Sequence, residues 1–302
     1  MSTPSSRRRR GEGGGRTAFV LSGGGSLGAI QVGMLRALFE NDVQPDFLIG
    51  TSVGAVNAAW AAGRPGLDGI DYLADIWLGL RRQDVFPLSP LTGARGLLGR
   101  SNHLISNHSL RSILERNIPF DRLEQAALPV QIVATELKSG QATVLASGPA
   151  VPALLASCAI PGVFPPVTIG RREYVDSGVA NHTPVTVAIE LGASDIFVLP
   201  VGYPWLNRDP ANALGMALNA LARIVEQRLD AEVASYRDVA RIEVLPAFSQ
   251  ADVSPADFSR TRELIDWGYR SARRYLSDSP GRASDAALPE KARKTLRLSP
   301  AA

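Results

Sequence analysis

Asp46-Phe47-Leu48-Ile49-Gly50-Thr51-Ser52-Val53-Gly54-Ala55-Val56-Asn57 is the stretch from which the rest of this chain is read. An apolar run enters Gly-x-Ser-x-Gly and is followed by a small-residue segment, Ala55 to Ala62. The pattern predicts a strand, a sharp turn and a helix. Gly50 and Gly54 allow a turn so tight that Ser52 takes a strained backbone conformation, with its hydroxyl standing at the sheet edge. The helix that follows aims its positive N-terminal end at the same place. Taken alone, the segment also fits an ordinary strand-to-helix turn that happens to contain serine.

Immediately upstream lies a second turn of the same kind. Thr17 to Leu21 is a short apolar run suited to a buried parallel strand. Ser22-Gly23-Gly24-Gly25-Ser26-Leu27-Gly28 interrupts it, and Ile30, Met34, Leu35 and Leu38 then fall at helical spacing. A glycine-rich turn before a helix gathers backbone N–H groups around an anion. Gly23, Gly25 and Gly28 match a dinucleotide fingerprint, but the second strand ends in Gly50-Thr51-Ser52 rather than in the ribose-binding acid. No Gly-Lys-Ser/Thr phosphate loop is present. An oxyanion hole, whose N–H donors stabilise charge developing on a carbonyl oxygen, fits best beside a serine elbow. Glycines serving only a tight turn are the alternative.

Further along, Asp68 to Leu80 carries an apolar helical face. Residues Arg81 to Asn107 lose periodicity among Pro87, Pro90, Gly93, Gly96 and Gly99, with apolar residues scattered between them, which fits either a lid or lipid-contacting flap or a partly buried, packed loop. Short helices are expected at Ser109–Asn117 and Asp121–Ala127, strands at Val130–Thr135 and Thr143–Leu145, and a helix at Ala150–Cys158. Val167–Ile169 and Glu173–Val175 read as a β-hairpin that delivers Asp176-Ser177-Gly178. Thr183-Pro184 opens a helix to Leu191, and Asp195–Val201 is a strand. Asp209 to about Ala240 is helical, Arg241–Leu245 is a last strand, and Ser254 to Asp257 caps a final helix.

Composition narrows the function classes. With 45% hydrophobic and 20% charged residues, the 302-residue chain can bury a sizeable core. The excess positive charge lies in the ends: residues 1–16 carry +4 and residues 277–302 carry +2 of the overall +3, leaving about −3 between them. Nucleic-acid binding by the body is therefore unsupported, while the Arg-rich arm allows a weak, transient attraction to an anionic lipid surface. Residues 1–16 are expected to be a disordered arm, 17–276 one catalytic domain and 277–302 a poorly ordered basic tail. Cys158, the single cysteine, excludes an internal disulfide. No apolar core follows Arg7 to Arg10, and the glycine cluster breaks Thr17 to Leu35, so neither a secretion signal nor a membrane span is expected and the location reads as cytoplasmic, at most peripheral at the membrane. Neither HExxH nor clustered Cys/His appears, so no metal site is expected.

The two glycine motifs, closely spaced near the N-terminus, make the chain similar to the patatin-like phospholipase family. Asp176-Ser177-Gly178, preceded by the proline-rich Ser157-Cys158-Ala159-Ile160-Pro161-Gly162-Val163-Phe164-Pro165-Pro166-Val167, resembles that family's remaining signatures, and the resemblance implies that this stretch lines the site. Ser177 stands where glycine is usual, and the family's frequent Arg near Leu27 is missing. The resemblance implies a three-layer α/β/α sandwich with a mostly parallel central sheet. It also implies a Ser52–Asp176 dyad cleaving fatty-acyl esters through an acyl-enzyme, with Gly23, Gly24, Gly25, Ser26 and Gly28 forming the oxyanion hole, and no cofactor.

Two other readings stay open. An α/β-hydrolase with a Ser-Asp-His triad would carry its histidine well after the acid. His103, His108 and His182 are the chain's histidines, and none lies in the final third. A non-catalytic lipid-binding protein is the second alternative.

Overall fold

The computed structural model describes residues 15–87, 102–178, 183–202, 216, 227–248 and 253–278. Its strands are β1 (Arg16–Leu21), β2 (Phe47–Thr51), β3 (Val130–Glu136), β4 (Ala142–Leu145), β5 (Val167–Ile169), β6 (Arg172–Asp176), β7 (Ala193–Leu199) and β8 (Arg241–Val244). They form one sheet in the order β5-β6-β3-β2-β1-β7-β8, with β4 paired to β3. The run β3-β2-β1-β7-β8 is parallel throughout. Antiparallel pairing is confined to β4, β5 and β6 around β3.

Side chains alternate across this sheet, as the two-residue period of a strand requires. Phe19, Leu21 and Leu48 enter one core, whereas Ala18, Val20, Phe47 and Ile49 enter a second core on the opposite face. Burial on both faces explains why β1 and β2 read as continuous apolar runs. The helices are α1 (Ala29–Glu40), α2 (Val53–Gly63), α3 (Leu67–Gly79), α4 (Arg82–Val85), α5 (His108–Asn117), α6 (Ala150–Ser157), α7 (Val185–Glu190) and α8 (Thr261–Ser277). Ile30 of α1, Ala58 of α2, Ile70 of α3, Leu114 of α5, Leu154 of α6 and Leu264 of α8 complete the first core. Val185, Val187 and Ala188 of α7 complete the second. The result is a three-layer α/β/α sandwich with a mostly parallel sheet.

Three segments depart from the sequence expectations. Asp121–Ala127 forms only a 3₁₀ turn at Leu123–Gln125, because Gln125 Oε1 accepts from the Asp121 and Arg122 amides at 3.2 and 3.1 Å and closes the chain on itself. Pro184 precedes α7 rather than occupying its first turn. Ser254 to Asp257 does not cap α8, which starts at Thr261. Asp257 instead accepts from the Ser259 amide and hydroxyl, and the Ser254 and Pro255 carbonyls reach the glycine-rich turn. Among the described residues no helix is long and apolar enough to cross a membrane. Residues 88–101 of the expected flap and, Met216 apart, the expected helical stretch up to 226 lie outside the described residues, as do nearly all of the arm and of the tail; residues 227–236 are helical, as expected, and Arg16 of the expected arm begins β1.

Candidate active site

Leu21 of β1 pairs with Gly50 of β2, so the turns that follow the two strands emerge together at one edge of the sheet. The strand order reverses at β1, with β2 on one side and β7 on the other, and this is where open α/β sheets place ligands.

The turn after β2 is strained at its serine. Ser52 has φ 55° and ψ −128°, a rare conformation for a residue with a side chain. Gly50 and Gly54 do not take the positive φ; they serve close approach. A Cβ on Gly50 would sit 2.3 Å from the Gly54 carbonyl oxygen, and one on Gly54 would sit 2.4 Å from the Leu21 oxygen. Ser157, at the end of α6, holds the elbow from behind. Its Oγ accepts from the Ser52 amide at 2.8 Å and donates to the Val133 carbonyl at 2.6 Å, satisfying a buried N–H that the sharp turn would otherwise leave alone.

Asp176 is the last residue of β6, facing Ala134 of β3 in the sheet. The Ser52 hydroxyl donates to Asp176 Oδ2 at 2.6 Å. The Gly178 amide donates to Oδ1 at 2.7 Å, and the Asp176 amide donates to the Ala159 carbonyl, so the carboxylate is held at both oxygens and at its backbone. The side chain is only 5% exposed. Burial pushes its pKa up from 3.8 to about 6, against the opposing pull of the hydrogen bonds from Ser52 and then Gly178. Ser177 is buried with a negative φ, so the position does not require glycine, and Thr135 Oγ1 reaches its hydroxyl at 3.4 Å. Cys158 lies against this pair. Burial, then the Asp176 charge, drives its thiol far above the usual range despite a hydrogen bond with Ser52, which makes it a packing residue rather than a thiolate.

The glycine-rich turn divides into working parts. The Ser26 amide donates to the Pro255 carbonyl at 2.7 Å, and its hydroxyl donates to the Ser254 carbonyl. Gly28 packs against Val53 and Trp77, with no room for a Cβ. Gly25, at φ 59°, lies so close to Pro255 that a Cβ would fall 2.3 Å from its carbonyl oxygen. Among the described residues no group accepts from the Gly24 and Gly25 amides. The turn rests on a buried polar chain absent from the sequence expectations. Gln31 donates to the Ser22 and Leu199 carbonyls, Asn57 donates to the Gly28 carbonyl and to Gln31, and Trp77 donates to Asn57.

From Ser52 and Gly25 a narrow cavity of about 100 Å³ leads inward between α2, α3 and α5. Its walls are apolar apart from Asn117 and the residues at the serine; Val56, Trp77, Phe86, Leu110, Phe164 and Phe258 are among them. The resemblance to a family pointed to Ser157 and Phe164 through the stretch Ser157–Val167, and Phe86 fell in the expected flap, but no sequence pattern joined them to Val56, Trp77, Leu110 and Phe258, which come from other segments. His182 lies outside the described residues, and the His103 ring bonds to Asn102. Among the described residues no three His, Cys, Asp or Glu side chains gather in a metal-binding group.

Residues 19–189, which span both glycine turns and Asp176, match the family model for patatin-like phospholipase. The chain belongs to the patatin-like phospholipase family. Over 225 residues it is 30% identical to uncharacterized NTE family proteins of Mycobacterium bovis and Mycobacterium tuberculosis, covering 69% of this chain and 59% of those proteins. It is 28% identical to patatin-like phospholipase domain-containing protein 7 of Rattus norvegicus, over 63% of this chain and 14% of that protein. The chain thus spans well under two thirds of the relatives it matches. The crystal structure of VipD from Legionella pneumophila is similar at 14% identity and a TM-score of 0.47, covering 87% of this chain and 67% of that one. Membership of this patatin-like family supports lipid acyl hydrolase activity in general terms.

Proposed function

We propose that this patatin-like protein is a serine acyl hydrolase that cleaves fatty-acyl carboxylic esters through a Ser52–Asp176 dyad. The observation that carries the reading is the 2.6 Å hydrogen bond from the Ser52 hydroxyl to a buried Asp176 carboxylate at the mouth of an apolar cavity. Asp176 takes the proton as Ser52 Oγ attacks the ester carbonyl carbon. Burial makes it a better base than an ordinary aspartate while leaving it ionised near neutral pH. The Gly24 and Gly25 amides, with the α2 N-terminus, stabilise the oxyanion. Asp176 then returns the proton to the departing alkoxide as the C–O bond breaks, and an acyl-Ser52 remains. Water, deprotonated by Asp176, attacks this acyl group, and Asp176 passes that proton to Ser52 Oγ as the acyl C–O bond breaks, which releases the fatty acid and restores the Ser52 hydroxyl beside an ionised Asp176. The acyl chain occupies the apolar cavity throughout.

The deciding experiment is hydrolysis of p-nitrophenyl esters and a phospholipid by wild type, Ser52→Ala, Asp176→Asn and His182→Ala, with fluorophosphonate labelling of each. Loss in the first two variants and retention in His182→Ala is expected. Dependence on His182 would favour the triad. An unlabelled Ser52 and no turnover of any ester would favour a lipid-binding role.

A further inference from the structure

The lining of the cavity beyond Ser52 follows α2. Val53, Val56 and Trp60 line it from α2 at spacings of three and four residues, which is one stripe of that helix. At the rise of an α-helix this stripe is about 10 Å long. The Trp60 indole is pinned by its hydrogen bond to the Gly69 carbonyl at 2.9 Å. Beyond it, Pro119 and Phe120 press on Gly63, where a Cβ would fall 2.5 Å from the proline ring, so among the described residues the far end of α2 is covered.

Sideways, the wall is one side chain thick. Ile76 and Leu80 beside α3, with Ile113 and Asn117 of α5, line the cavity on one side and a polar surface cleft on the other. All four are half-buried, as side chains shared by an interior and an exterior space must be. Asp75, Asp84, His108 and Arg116 stand around that outer cleft.

We propose that this blind pocket selects acyl chains of medium length, about eight carbons from the carbonyl to the terminal methyl. Trp60 is the floor, and the seam at Ile113 is the wall that a longer chain meets. The inference rests on the acyl hydrolase reading, since it places the ester carbonyl at Ser52. A carbon chain with bonds of ~1.5 Å and angles near ~111° advances ~1.25 Å per carbon, so a stripe of about 10 Å holds about eight. A longer tail must break through the seam into a cleft of charged and polar groups, where it displaces their hydration with nothing to offer in return.

The test is the ratio of kcat/KM for palmitoyl and octanoyl p-nitrophenyl esters, presented in the same mixed micelles, within a series that begins at acetyl. The wild type should peak near octanoyl and fall by roughly tenfold or more at palmitoyl. Ile113→Ala, and independently Leu80→Ala, should raise the palmitoyl-to-octanoyl ratio by about tenfold, and Ile113→Leu should restore the wild-type ratio. Equal wild-type rates on both esters, or an unchanged ratio in both alanine variants, would overturn the pocket assignment while leaving the hydrolase reading intact. Absence of Ser52-dependent turnover at every chain length would instead overturn the hydrolase reading and this inference together.

Discussion

Replacing Asp176 by Asn separates what stabilises the fold from what the chemistry requires. In the folded chain burial raises the Asp176 pKa from 3.8 to about 6, with Ser52 and Gly178 donating to its two oxygens. Between about pH 4 and pH 6 the folded state therefore binds more protons than the unfolded one, and stability falls as the pH rises through that window. Above it the buried carboxylate costs about 3 kcal/mol, the free-energy equivalent of the displacement. Because the side chain is 5% exposed, solvent screens little of this cost. Asparagine carries no charge and keeps an oxygen for the Gly178 amide. Urea unfolding followed by the fluorescence of the buried Trp60 and Trp77 should show Asp176→Asn more stable than wild type at about pH 8, by up to about 3 kcal/mol, and nearly equal to it at about pH 4. Ester hydrolysis at about pH 8 should fall roughly a hundredfold to ten-thousandfold in the same variant. The wild-type kcat should show an acid limb near pH 6, since Asp176 must lose its proton to act as a base. A variant less stable than wild type at about pH 8, or a stability difference independent of pH, would refute the account of Asp176 as a carboxylate whose pKa is raised by burial.

Two further substitutions probe the supports of the dyad. Ser157→Ala leaves the Ser52 amide and the Val133 carbonyl without their buried partner; it should destabilise the fold by about 1–3 kcal/mol in urea and lower kcat with little change in KM. Ser177→Gly places the usual residue in the aspartate turn, but Ser177 has a negative φ, so no strain is relieved. Steady-state kinetics should find kcat little altered, and unfolding should show a loss of about 0.5–1 kcal/mol from the added freedom of glycine.

The fold was legible where a local pattern coincided with a complete element. Thr17 to Leu21 and Phe47 to Thr51 are buried on both faces, which leaves an unbroken apolar signature, and the glycine turns mark where each strand ends. The hairpin carrying Asp176 was legible from its Gly170 turn, which lies between two short runs rich in β-branched and aromatic residues, Val167–Ile169 and Glu173–Val175. The reading failed at Ser254 to Asp257, where capping-type residues make a turn with each other and over Ser26 instead of starting α8. A serine or aspartate beside a helix has several backbone groups within reach, and only the neighbouring segments select among them.

Ser52 was marked locally by its flanking glycines, whereas Asp176 stood in a turn of an ordinary kind, and only the resemblance to a family singled it out and joined the two. Their 2.6 Å contact is a property of the sheet: β3 brings β6 alongside β2, so residues 124 positions apart meet at one edge. The raised pKa of Asp176, the role of Ser157 and the length of the cavity likewise arise from what surrounds those side chains. Sequence alone marked the strands and the elbow, because backbone geometry and short-range periodicity are written in consecutive residues, while the candidate pair came only from the resemblance to a family. Tertiary structure decided the burial of Asp176, its contact with Ser52 and the apolar pocket, because desolvation and packing depend on segments that become neighbours only when the chain folds.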